Sequence, residues 1–171
     1  MPERPRPSVR RAVAADADAI ARVHHDGWQV GYRGIVPAHE LEPLTLDHYR
    51  EQWRALLADP ESPRTFVADV DGEVVGVAGY APSTQEGADP AEIAELTVLY
   101  VHSERQRAGA GRALLAEVTE AMRGDGFERA ELWVFAANER GRAFYEAVGW
   151  EEEGSVGEWR GAAAVRYRTA L

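Results

Sequence analysis

Two side chains are missing from this 171-residue sequence: it has no cysteine, and all 19 of its lysine-or-arginine positions are arginine. Without lysine there is no Walker-type phosphate loop, no kinase-type strand lysine and no Schiff base to pyridoxal phosphate. Without cysteine there is no thiol nucleophile, no disulfide framework, no iron–sulfur cluster and no cysteine-ligated zinc. An excess of positive charge is lacking too. The 29 acidic residues set the formal charge at −10, which opposes a broad electrostatic footprint on DNA or RNA, so nucleic acid is not an expected partner. Net acidity suits plain solubility, and it would equally draw in a cationic substrate. No window approaches 18 apolar residues, and the N-terminal stretch Met1-Pro-Glu-Arg-Pro-Arg-Pro-Ser8 lacks the apolar segment of a secretory signal. A cytoplasmic protein without a membrane span is the resulting expectation.

What is present fits one domain, long enough to bury about 70% of its unfolded surface. Residues 1–8 read as a flexible tail and 9–171 as a single domain. A first strand is expected at 9–13, followed by a helix over 17–25 with Asp16 as N-cap. The stretch 27–37 holds three glycines, a proline and two aromatics and reads as an ordered loop. Thr45 then caps a second helix whose Leu46, Tyr49, Trp53, Leu56 and Leu57 share a face. Asp71-Gly72 between the β-rich runs 65–70 and 73–80 predicts a hairpin. The run 93–101 predicts a buried mid-sheet strand, 109–123 a helix ended by Gly124-Asp-Gly126, and 130–135 the next strand, which together make a strand, crossover helix, strand unit. Asn138 opens a last helix closed by Gly149, and two final strands follow from Trp150 onward and over 163–169. The class is therefore α/β, with a mixed sheet of antiparallel hairpins and one parallel unit.

Between the buried strand and its helix lies Val101-His-Ser-Glu-Arg-Gln-Arg-Ala-Gly-Ala-Gly-Arg112. Small residues from Ala108 to Gly111 allow close backbone approach, and the unpaired amides of a first helical turn suit a pyrophosphate, although such a turn also serves as simple turn chemistry. A dinucleotide-binding reading fits poorly, because Gly109-Ala-Gly111 is followed by Arg-Ala-Leu and sits late in the chain. Here the sequence resembles the GNAT superfamily of N-acetyltransferases. Gln106-Arg-Ala-Gly-Ala-Gly111 matches the family's Q/R-x-x-G-x-G/A acetyl-CoA pyrophosphate signature, and Asn138-Glu-Arg-Gly-Arg-Ala-Phe-Tyr-Glu-Ala-Val-Gly-Trp150 is similar to its N-x-x-A-x-x-x-Y-E-x-x-G-F/W pattern, with Gly141 at the small-residue position. Glu95-Leu-Thr-Val-Leu-Tyr-Val101 looks like the family's bulged central strand.

The resemblance implies a GNAT-like fold: a mostly antiparallel mixed sheet of about seven strands with a splayed CoA-binding cleft. It implies acetyl transfer from acetyl-CoA, the co-substrate, to a primary amine, with a small molecule as the expected acceptor. Leu99, Tyr100 and Val101 would line the pantetheine arm, and Gln106, Arg107, Ala108, Gly109, Ala110, Gly111 and Arg112 would hold the phosphates. Asn138 would contact the CoA arm or simply cap its helix. Tyr145 matches the general acid that faces the CoA sulfur, although Phe144, Tyr145 and Val148 also make an apolar helix face. Glu95 matches the general base, with His102 the alternative by intrinsic pKa and Glu92 on the opposite strand face. Trp28, Tyr32 and Arg33 fall where the family places its amine wall, and aromatics there could attract an ammonium or merely anchor packing. His24, His25 and Asp26 do not suggest a metal, since adjacent histidines point apart on a helix. No metal is expected, and a homodimer is the oligomer that the resemblance suggests. A protein N-terminal acetyltransferase and a non-catalytic acyl-CoA-binding domain are the competing readings. The absence of cysteine rules out an acyl-cysteine intermediate, so a catalytic version acts by direct attack in a ternary complex.

Overall fold

Apolar residues at alternate positions, broken by turn residues, produce seven strands that pair in one sheet. A computed structural model describes residues 6–171. Of the expected tail, residues 1–5 lie outside the described residues, and Ser8 already opens β1 (Ser8–Arg11), a strand two residues shorter at its C-terminal end than 9–13. The others are β2 (Arg64–Val70), β3 (Glu73–Pro82), β4 (Ile93–Val101), β5 (Arg129–Phe135), β6 (Glu151–Trp159) and β7 (Ala162–Ala170). They lie in the order β1-β2-β3-β4-β5-β7-β6, and every pair is antiparallel except β4 with β5. The predicted hairpin forms at Asp71-Gly72, both with positive φ, 55° and 83°, as a tight two-residue turn requires.

The helices are α1 (Ala17–Gln29), α2 (Ala38–Leu41), α3 (Leu46–Ala58), α4 (Ala110–Gly124) and α5 (Glu139–Ala147). Two differences from the sequence reading concern the N-terminal half. The first helix runs on to Gln29, so Trp28 is helical rather than in a loop, and a one-turn helix, α2, follows the remaining loop. Gly27 is tolerated inside α1 because the Tyr100 ring of β4 packs where a Cβ would sit, 2.6 Å from its Cδ1. Close packing thus overrides helix propensity at that position.

Two apolar cores flank the sheet. One joins Leu114, Leu115, Val118 and Met122 of α4 to Phe66, Ala78, Tyr80, Ala94, Leu96, Leu132 and Tyr167, with Phe144, Tyr145 and Val148 of α5 against it. The other joins Ile20, Val23 and Trp28 of α1 and Tyr49 and Trp53 of α3 to Val67, Val77, Phe135, Ala162 and Ala164. At Gly76 of β3 an added Cβ would lie 2.9 Å from Leu114 Cδ1, so this glycine lets α4 settle onto the strand.

Two irregularities in β4 position the site. Its pairing with β3 slips between Gly79↔Val98 and Tyr80↔Leu96, which leaves Thr97 as a bulge whose hydroxyl donates to the Gly79 carbonyl at 3.1 Å. The extra residue inverts the alternation: Ala94 and Leu96, then Leu99 and Val101, face α4, whereas Val98 and Tyr100 face α1 and α3. Glu95, between Ala94 and Leu96, falls on the α1 side. The pairing with β5 covers only Ile93↔Arg129, Ala94↔Ala130 and Glu95↔Glu131. Beyond Glu95 the two strands part, and the second half of β4 is only half-buried, not buried on both faces as its composition suggested.

Candidate active site

The strand-to-helix turn before α4 has the local geometry that suits an anion. Arg107 has φ of 66° and Gly109 φ of 88°, and such alternation of backbone handedness turns successive N–H groups toward one concavity. The first-turn amides of α4 have no side-chain cap, and the turn holds no acid. In contrast, Thr45 caps α3 and Asn138 caps α5, each with an acid in the following turn, and α1 has Asp18 in its first turn. Donors at a positive helix end with neither cap nor carboxylate are what a pyrophosphate needs. Gln106 ties the turn to the strand by donating from Nε2 to the Val101 carbonyl at 3.0 Å. Arg107 and Arg112 are exposed and form no ion pair among the described residues, whereas Arg105 is held by Glu73 at 2.7 Å. Asp26 in the last turn of α1 fixes the approach, accepting from the Ser103 amide at 2.7 Å and its hydroxyl at 2.9 Å.

The residues expected to do acid–base work lie on opposite faces of the sheet, with the opening between β4 and β5 between them. Tyr145 of α5 packs on the α4 side, its ring 6.0 Å from Trp150 and 6.3 Å from Tyr167. Burial pushes its phenol above the ordinary range, and Tyr32 on the far side adds to that push. No protein group among the described residues hydrogen-bonds the Tyr145 hydroxyl, whereas Tyr80, Tyr100 and Tyr167 each have a partner. Glu95 is half-buried at the last paired rung of β4. Its carboxylate accepts from Gln85 Nε2 at 3.3 Å, and no cation pairs with it among the described residues. Burial, and secondarily the charge of Glu131, raise its pKa above the ordinary carboxylate value against the lowering effect of the Gln85 contact.

The other candidates separate. His102 follows the end of β4, well away from Glu95, with Nε2 3.7 Å from Asp26 and Nδ1 accepting from the Glu104 amide. Glu92 pairs with Arg129 at 3.4 Å. Leu99 and Val101 present side chains to α4, while Tyr100 points to α1, where its hydroxyl accepts from Trp28 Nε1 at 3.1 Å. Trp28 is only 2% exposed, so its indole is a packing element. Its ring and those of Tyr32, Phe135 and Trp159 meet edge-on or stacked at 4.8–6.0 Å as one aromatic cluster, with Trp28 and Phe135 buried, Tyr32 half-buried and Arg33 exposed.

The family model described as "Acetyltransferase (GNAT) family" matches residues 26–150. The chain belongs to the GNAT acetyltransferase family. It is 38% identical over 134 residues to an uncharacterized N-acetyltransferase, YuaI, of Bacillus subtilis, covering 77% of this chain and 73% of that one. It is 28% identical over 137 residues to an uncharacterized N-acetyltransferase of Archaeoglobus fulgidus, covering 80% and 88%. Among solved structures, the PaiA N-acetyltransferase of Thermoplasma acidophilum in complex with coenzyme A superimposes with a TM-score of 0.77 at 22% identity, covering 94% of this chain and 97% of that one. A ribosomal-protein-alanine N-acetyltransferase of Brucella melitensis gives 0.74 at 27% identity, covering 96% and 99%.

Within this GNAT fold, the departure at Gly141 has a local cause. Asn138 accepts from the Gly141 amide at 3.0 Å, and a Cβ at Gly141 would lie 2.5 Å from Asn138 Nδ2. The capping role of Asn138 is therefore realised, and a glycine accommodates it. Sequence reasoning missed a second group: Glu131, Ser83 and Gln85 beside Glu95, and Arg166 and Arg168 behind them. Glu131 is 0% exposed. A glutamate in the middle of an otherwise apolar strand, Arg129–Phe135, was the available signal.

Proposed function

We propose that this acetyltransferase moves an acetyl group from acetyl-CoA to the primary amine of a small molecule by direct attack in a ternary complex. The observation that supports this most is the placement of a carboxylate without a cationic partner and a phenol without a hydrogen-bond partner, among the described residues, on opposite faces of the sheet, joined by the opening between β4 and β5. Acetyl-CoA brings the acetyl group as a thioester. The uncapped α4 amides with Gln106, Arg107, Ala108, Gly109, Ala110, Gly111 and Arg112 would hold its pyrophosphate, and the unpaired edge of β4 beyond Glu95, along Leu99, Tyr100 and Val101, would take the arm.

Glu95 faces the amine. An alkyl ammonium is neutral only about one part in a thousand near pH 7, and Glu95, which no cation neutralises, attracts that ammonium and accepts its proton directly or through a water. The freed nitrogen forms its bond to the carbonyl carbon as the carbon–sulfur bond breaks. Backbone donors on the unpaired edge of β4 stabilise the developing oxyanion, a contribution of about 10²–10³-fold per donor in comparable sites. Tyr145 donates its proton to the departing thiolate from the other face, and the second proton of the attacking nitrogen returns through water to the tyrosinate, which leaves a neutral amide and the free thiol. The raised pKa of Tyr145 keeps it protonated at neutral pH. The rings of Tyr32 and Trp159, beside buried Phe135, suit cation–π contact with a small ammonium, which supports a compact amine as acceptor. Protein N-termini are the second reading, favoured by the likeness to the ribosomal-protein-alanine enzyme.

Release of free thiol from acetyl-CoA, followed across a panel of small primary amines and N-terminal peptides, tests this reading. Turnover on amines with none on peptides is expected. Turnover confined to peptides would replace the acceptor class, and binding of acetyl-CoA without thiol release on any acceptor would make the domain a sensor.

A further inference from the structure

Glu131 is a buried carboxylate that the steps above do not use. It stands beside Glu95 on the last rung before β4 and β5 part. From β7, Arg168 donates to its Oε2 from Nε and a terminal nitrogen, both at 3.2 Å, and Arg166 lies 3.8 Å away. Those two arginines also hold Glu153 of β6, at 2.8 and 3.3 Å. On the other side, the Ser83 hydroxyl donates to Glu131 Oε1. Ser83 Oγ in turn accepts from the Gln85 amide at 3.2 Å, and Gln85 Nε2 is the group that donates to Glu95. One chain of contacts thus runs from the β7 arginines through Glu131, Ser83 and Gln85 to Glu95.

Burying an ion pair seldom stabilises a fold more than apolar packing of the same volume would. A fully buried carboxylate one strand from the reaction centre therefore calls for a role there. We propose that Glu131 is the positioning residue of the amine-facing base: anchored by Arg168 and Arg166, it fixes the Ser83 to Gln85 segment that holds Glu95 and sets the electrostatic environment of that carboxylate. This rests on Glu95 acting as the base. The groups that bear on Glu95 are Glu131 from β5, Gln85 and the Thr84 backbone from the loop before β4, and uncharged Ala81, its pairing partner on β3.

The two links act with opposite sign. The Glu131 charge disfavours ionisation of Glu95, and the Gln85 hydrogen bond favours it. The experiment is titration of the Glu95 side-chain carboxyl by NMR in the full chain, alongside the acid limb of kcat/KM for the amine. Glu131→Gln is expected to lower the midpoint of Glu95 and the limb together, by about 0.5–1 pH unit. Ser83→Ala, which loosens Gln85 but keeps the charge, is expected to raise both, and Glu131→Asp to restore the wild-type midpoint. Should Glu131→Gln fail to fold, the Ser83→Ala shift decides the matter by itself. A Glu95 midpoint indifferent to Glu131→Gln and Ser83→Ala overturns the proposal while leaving the base intact. Midpoints that move under an unmoved kinetic limb show that Glu95 is not the base, and Glu131 then loses its role in the reaction.

Discussion

The two halves of the sheet are built on different physics. Strands β1 to β4 lie between α1 and α3 on one face and α4 on the other, and their inward residues are almost all apolar. Strands β5, β7 and β6 have α5 on the α4 side. The opposite face carries Glu131, Arg166, Arg168 and Glu153, with the Arg166 guanidinium 5.6 Å from the centre of the Trp133 ring. The first half gains its stability from dry burial, whereas the second spends some on charges kept near the chemistry. The proposed site falls at the seam, where the two halves share three rungs. Stability and activity should therefore be separable by position.

Leu114→Ala, in the apolar half, is the severest test of that separation. Leu114 is fully buried under Gly76, so truncation should cost about 2–5 kcal/mol in denaturant unfolding. The kcat of the molecules that stay folded should change little. A large fall in kcat with unchanged stability would break the comparison.

Acid should expose the apolar half as well. His24 is 8% exposed, and the indole N–H groups of Trp28 and Trp53 point at its two nitrogens at 3.1 and 3.0 Å, an arrangement that leaves no acceptor for an imidazolium. Burial, with a smaller contribution from His48, holds its pKa down to about 3. A folded pKa below the unfolded value means that the unfolded chain takes up the proton first. The stability due to neutral His24 is thus complete above about pH 6.5 and lost progressively toward pH 3, on the order of 3–5 kcal/mol in all. Equilibrium unfolding at pH 7 and pH 4.5 captures about half of that loss, and His24→Phe should flatten that part of the dependence.

At the seam the effects should reverse. Tyr145→Phe removes a hydroxyl that no protein group pairs, so the melting temperature should hardly move while kcat falls about 10²-fold, the usual contribution of a general acid. Equal rates in the two proteins would return Tyr145 to a packing role.

Much of this was legible in the sequence because it rests on short-range rules. Asp71-Gly72 has the turn chemistry of its hairpin, Thr45 and Asn138 cap their helices, and Gln106 to Gly111 form the uncapped turn. Long-range packing hid the rest. Trp28 read as a loop residue because Gly27 and Gly31 bracket it, yet Tyr100 of β4 presses on Gly27 and keeps α1 going. The alliance of Glu131 with Ser83 and Gln85 spans 48 residues, and no periodicity reports it. The bulge at Thr97, which sets the faces of Glu95 and Tyr100, shows only in the register with β3.

The central claim is that a base on one face of the seam serves an acid on the other. The most direct test is the pH dependence of kcat/KM for the amine in the wild type and in Glu95→Gln. The wild type should show an acid limb above the ordinary carboxylate range, since burial and Glu131 raise the pKa of Glu95. Glu95→Gln should lose that limb and fall about 10²-fold or more on the plateau. An unchanged limb and plateau in Glu95→Gln would contradict the account.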